Sequence, residues 1–124
     1  PTPQQTLPDY TPTWLPDGFE EQEHHKDDLC SSWYYVSGSD FIVIEVDVYR
    51  SGTVLSLIGD HSDYEEVHIN QFTALFVPAN GNSGISNLVW IDEQNGLMFS
   101  VDSTLEKSVI LHIAESIELL QSTN

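Results

Sequence analysis

The residues best suited to chemistry are His24-His25 followed by Asp27-Asp28, a second acidic and histidine run at Asp60-His61-Ser62-Asp63, and a lone thiol, Cys30. Zinc needs several N, S or O ligands converging on one point. Neighbouring residues of a strand point to opposite faces, so His24 and His25 do not both reach one ion, and this group reads as a solvated loop. The run from Asp60 to Asp63 offers oxygen ligands but lacks the D-x-[DN]-x-[DN]-G frame and closing Glu of a calcium loop. No metal and no cofactor is expected.

Nucleophilic catalysis fares no better. Cys30 has His24 and His25 nearby in sequence, but nothing marks an oxyanion hole or an orienting group, so it reads as a structural thiol. Ser, His and Asp all occur without a Gly-x-Ser-x-Gly elbow. Gly81, Gly84 and Gly96 do not form a phosphate loop, and His112 reads as a surface or boundary residue of a helix. No catalytic residue is assigned, and an enzyme is not expected. The aromatics are the remaining chemical resource. Trp14, Trp33, Trp90 and the tyrosines could line a carbohydrate or peptide groove, although such rings in a small β-rich domain more often build the core. Trp33, Tyr35, Tyr49 and Tyr64 are the candidate binding-surface residues.

Charge narrows the partners. Twenty Asp and Glu face three Lys and Arg, giving a formal net charge of −17 over 124 residues. Nucleic acids and anionic lipid surfaces repel such a chain, and self-repulsion favours a monomer. No run of about 18 apolar residues is present to span a bilayer. The sequence starts at Pro1 without an initiator Met or a signal-peptide pattern. It reads as an excised piece or a mature form, with any leader or anchor upstream. A single cysteine permits no internal disulfide.

The elements that must position these residues fall into four regions. Residues 1–9 are Pro- and Gln-rich and read as a linker or extended arm; residues 10–122 read as one domain. Residues 10–19 form a stiff clasp. Pro12 and Pro16 fix φ, Trp14, Leu15 and Phe19 need a groove to bury in, and Gly18 is free to take positive φ. Residues 20–102 carry strand signals. The segments 30–36 and 41–49 form a hairpin, with Ile42, Ile44, Val46 and Val48 facing the core and Glu45 and Asp47 turned away. Residues 53–58 fit a strand or a helical turn equally. Residues 66–69 and 72–77 form a second hairpin about Asn70-Gln71, residues 79–84 a long flexible tip, and residues 87–91 and 97–101 a third hairpin about Asn95-Gly96. Residues 103–120 carry the helix signal: Ser103 with Glu106 as a capping box, then an apolar stripe of Leu105, Val109, Ile110, Ile113, Ile117 and Leu120. The expected fold is α+β, an antiparallel sheet of about five to seven strands with one C-terminal amphipathic helix packed on a face.

An ordered set of short motifs carries a resemblance. It begins with Pro12-Thr13-Trp14-Leu15-Pro16-Asp17-Gly18-Phe19 and continues with Glu66-Val67-His68-Ile69-Asn70 before a strand holding Ala74. Leu88-Val89-Trp90, Gly96-Leu97-Met98-Phe99, Leu105 and His112-Ile113-Ala114-Glu115-Ser116-Ile117 complete it. The chain resembles the family called domain of unknown function 4367 over about residues 10–120. It departs at Asn70-Gln71, where the family has Asn-Gly. The resemblance implies an extracytoplasmic domain of a Gram-positive gut bacterium, carried behind a membrane anchor or lipoprotein signal and sometimes joined to a cytoplasmic anti-sigma-factor region. It implies a non-enzymatic cell-surface sensor, regulatory or protein-interaction module, and supplies neither catalytic residues nor a ligand. The partner expected is a protein or cell-envelope ligand, with membrane contact only through an unseen upstream anchor. The alternative is a carbohydrate- or peptide-binding module that uses surface Trp and Tyr.

Overall fold

A computed structural model describes residues 9–48, 64–79 and 84–119. Expectations for residues 1–8, Tyr49, the segments 53–58 and 60–63, and residues 80–83 and 120–122 lie outside them. In chain order the elements are β1 (Tyr10–Pro12), β2 (Glu20–Lys26), β3 (Cys30–Ser37), β4 (Asp40–Val48), β5 (Glu65–Ile69), β6 (Phe72–Val77), β7 (Ser86–Asp92), β8 (Leu97–Ser103), α1 (Lys107–Glu115) and β9 (Ile117–Leu119). Seven strands make one sheet in the order β2-β3-β4-β8-β7-β6-β5, antiparallel at every pairing, and β1 pairs β9 in a second, two-stranded sheet. The fold is α+β, with one helix near the C-terminus.

All three expected hairpins form. Ser37 pairs with Asp40, Ile69 with Phe72, and Asp92 with Leu97. The last turn spans four residues rather than the two that Asn95-Gly96 alone would make. The Asp92 carboxylate accepts from the Asn95 backbone at 3.1 Å and from its side chain at 2.7 Å, and Gly96 supplies the left-handed residue at φ 67°. In the β5–β6 turn Asn70 takes the positive φ, 55°, a conformation that asparagine tolerates better than most residues.

Period-2 alternation sorts the sheet into two faces. Trp33 and Tyr35, Ile42, Ile44 and Val46, Phe99 and Val101, Leu88 and Trp90, and Ala74 and Phe76 lie on one face and are buried. Ile110, Ile113 and Ala114 of α1 join this cluster, so the helix covers that face. Tyr10 adds an edge-on contact to Phe99 at 4.9 Å, and Trp90 stacks on Phe99 at 5.2 Å.

The helix is shorter than its apolar stripe suggests, and the capping box does not form. Ser103 is the last residue of β8 and fully buried. Its hydroxyl donates to the Phe41 carbonyl at 2.7 Å and accepts from the Leu105 amide at 3.1 Å, and the helical residues begin only later, at Lys107. Glu106 takes the N-cap position without a side-chain hydrogen bond. At the other end the Ser116 hydroxyl lies 2.7 Å from the Ile113 carbonyl and 3.2 Å from the Trp14 carbonyl, and Ile117 leaves the helix to pair with Pro12.

The clasp is therefore tied to the helix's end. Thr13 donates both its amide, at 2.9 Å, and its hydroxyl, at 2.8 Å, to the Ser116 carbonyl. Trp14 stacks on His112 with ring centroids 3.8 Å apart and planes 10° from parallel. Trp14, Leu15 and Phe19 pack on the core while remaining partly exposed. Gly18 adopts φ 90°, and a Cβ there would sit 3.2 Å from the Ser37 hydroxyl. With partial burial, Trp14→Ala should destabilise the domain by about 1–3 kcal/mol, seen as a lowered midpoint in a thermal melt. A melt identical to that of the parent would show that the clasp contributes nothing to the core.

Candidate functional site

The opposite face of the large sheet carries no described helix or second sheet. Its side chains can be read off the registers in rows. One row runs Glu45, Ser100, Val89, Leu75, Glu66 across β4, β8, β7, β6 and β5. The next runs Cys30, Asp47, Met98, Ile91, and the one on the other side Tyr34, Val43, Asp102, Asn87, Val77. Val43, Leu75, Val77, Val89 and Ile91 are half-buried and Met98 is buried. On the β6–β7 side lies a groove of about 520 Å³, lined by Thr73, Leu75, Val89 and Ile91, by Phe72 and Trp90 of the same strands, and by the turn residues Asp92, Glu93 and Gln94.

The β4–β8 side is acidic. The Cys30 sulfur and a carboxylate oxygen each of Glu45 and Asp47 lie within 4.8 Å of one another. Burial pushes the Cys30 thiol up to about 12, helped by its hydrogen bond to Asp47 and by the charges of Asp47, Glu45 and Asp27. It therefore keeps its proton at neutral pH, unlike a nucleophilic cysteine. Burial also raises Glu45, with the Asp47 and Asp102 charges adding to it. Asp102 is raised by burial, partly offset by the 2.7 Å hydrogen bond it accepts from Asn87.

The backbone disperses the histidines and acids around His24. They stand in and beside an edge strand, not in a loop: β2 is exposed along its whole length, so no apolar alternation could mark it. His24 turns to the covered side, stacking on Trp33 at 4.5 Å, while His25 turns the other way and meets Glu23 at 3.4 Å. Asp27 is occupied by the β2–β3 turn, accepting from the amides of Leu29 and Cys30 at 2.8 Å each.

Of the candidate surface aromatics, Trp33 and Tyr35 point into the core at 6% exposure each, because they share a face with Ile44 and Ile42. Burial, then the Glu21 charge, lifts the Tyr35 hydroxyl to about 12. Tyr64 is exposed, as is Tyr34, and Tyr49 lies outside the described residues. The grouping of Cys30 with Glu45 and Asp47 is a feature that motif spacing does not reveal. Its signal lies in the hairpin instead, since a turn at Gly38-Ser39 sets Cys30 opposite Asp47.

Fold and face together define an α+β domain in which, among the described residues, one sheet face is covered and the other is not. The chain belongs to the family described as Domain of unknown function (DUF4367), whose profile matches residues 9–117. A solved structure of similar fold is the crystal structure of MucB in complex with MucA(peri), at a TM-score of 0.51 and 13% identity. The match covers 91% of this chain and 37% of that one, so the chain spans well under half of its structural neighbour. No curated protein matches the chain.

The raised carboxylates have a measurable consequence. A group whose pKa is higher folded than unfolded favours the fold below its unfolded pKa, and that contribution is lost as pH rises through its folded pKa. Glu45→Gln should therefore raise the melting midpoint at pH 7 by about 1–4 °C, with the gain shrinking as pH falls through the carboxylate range. A gain independent of pH, or a loss at pH 7, would contradict the crowding of charge at Glu45.

Proposed function

We propose that this chain is a non-enzymatic, extracytoplasmic sensor or regulatory domain that works by holding a protein against the open face of its sheet. The observation that carries the reading is that face itself, half apolar, grooved beside Leu75, Val89 and Ile91, and bare of any described element. A contiguous patch of partly accessible apolar side chains of this kind is characteristic of interaction sites. Membership of the family and the fold shared with MucB, a protein solved in complex with MucA(peri), support a regulatory or interaction role. The resemblance drawn from the sequence motifs supports a place outside the membrane, behind an upstream anchor. The protonated Cys30 thiol supports binding rather than covalent chemistry. The carbohydrate reading loses support because Trp33 and Tyr35 are committed to the core.

In the full-length protein expressed in its own cells, a photo-crosslinking amino acid in place of Val89 should capture one defined protein. The same group in place of Gln22, on the exposed edge strand, should not. Labelling of intact cells with a membrane-impermeant reagent should reach the domain. Equal capture at both positions, or a domain inaccessible from outside, would contradict the proposal.

A further inference from the structure

We infer that the segment seated on the open face is an extended polypeptide that is basic as well as apolar; this rests on the protein-holding role proposed above. The placement of the two cations among the described residues, Lys26 and Lys107, points to it. Lys26 pairs with Asp9 and stands opposite Ser31, whose side chain is buried on the covered side. Lys107 belongs to the helix on the covered side, where it meets Glu65 at 2.8 Å and lies over the Phe76 ring. The open face carries Glu45, Asp47, Asp102 and Glu66, with Glu20 and Glu23 at its β2 edge, and no lysine among the described residues faces them. Its described groups able to gain positive charge are His25 and His68, on the two edge strands.

These carboxylates share a face with apolar side chains. Glu45 and Leu75 occupy one row three strands apart, a separation of about 14 Å at the usual strand spacing, which an extended chain crosses in about four residues. A partner segment with an apolar side chain in the groove can therefore place a lysine or arginine at Glu45 and Asp47. An acidic segment would add to the repulsion that already raises Glu45, and an uncharged one would leave it unrelieved.

The test uses three synthetic octapeptides, alternating leucine with lysine, serine with lysine, and leucine with glutamate. They are titrated into the isotope-labelled domain and followed by amide NMR shifts. The leucine–lysine peptide should bind, with shifts concentrated in β4, β6, β7 and β8; the serine–lysine peptide should bind at least about tenfold more weakly, and the leucine–glutamate peptide not at all. Leu75→Asp makes the domain more acidic yet should weaken the leucine–lysine peptide by at least about tenfold. The pair Glu45→Gln with Asp47→Asn should weaken it more than Glu21→Gln on the covered side of β2 with Glu115→Gln on α1, at equal loss of charge. Melts of each variant confirm that it is folded. Equal loss from the two pairs, tighter binding to Leu75→Asp, or shifts centred on β2 would overturn the inference. If the group at Val89 still captures a protein in cells, but the crosslinked segment carries no lysine or arginine, this chemistry fails and the protein-holding role stands. If the group at Val89 captures nothing, that role fails as well.

Discussion

A single nine-residue helix cannot cover a seven-stranded sheet. At 1.5 Å per residue, α1 is about 14 Å long, while seven strands at their usual spacing extend over about 29 Å. Among the described elements, the remainder of the core must be covered by the N-terminal clasp and the β1–β9 pair. This is why Tyr10 meets Phe99 and why Trp14, Leu15 and Phe19 pack on the core. It also explains the early end of the helix. Ile117 completes the small sheet with Pro12, and the Ser116 carbonyl holds Thr13 by two hydrogen bonds.

Covering one face leaves the other. The alternation that buries Ile42, Ile44 and Val46 turns Val43, Glu45 and Asp47 outward on the same strand. Crowded carboxylates, half-buried apolar side chains and a groove on one surface therefore follow from the same period-2 pattern that builds the core. Among the described residues, one side of the sheet holds the fold together and the other carries no packed element.

Much of this is legible in the residues. The three hairpins, the core positions of β4, the clasp and the amphipathic helix all follow from alternation, turn residues and proline placement. The features that escape have their cause in another part of the chain. Strand β2 has no alternating pattern because neither of its faces is buried, and its place is set by pairing with β3. Ser103 looks like a helix cap, yet it ends β8 and the helix starts later, with Glu106 at the N-cap. Trp33 and Tyr35 look available for binding, yet their phase on β3 matches that of Ile44 and Ile42. The groove is not legible, since it is assembled from β6, β7 and the turn after β7.

Among the described residues, one face of the sheet is covered and the other, the proposed docking face, is not. The most direct measurement of this division is the relaxation of methyl NMR signals caused by a soluble, neutral gadolinium complex. The methyls of Val43, Leu75, Val89 and Ile91 should relax strongly with added agent, while those of Ile42, Ile44, Leu88 and Val101 remain nearly unaffected. Equal protection of the two sets would contradict the account, because the proposed docking face would then be closed to any partner.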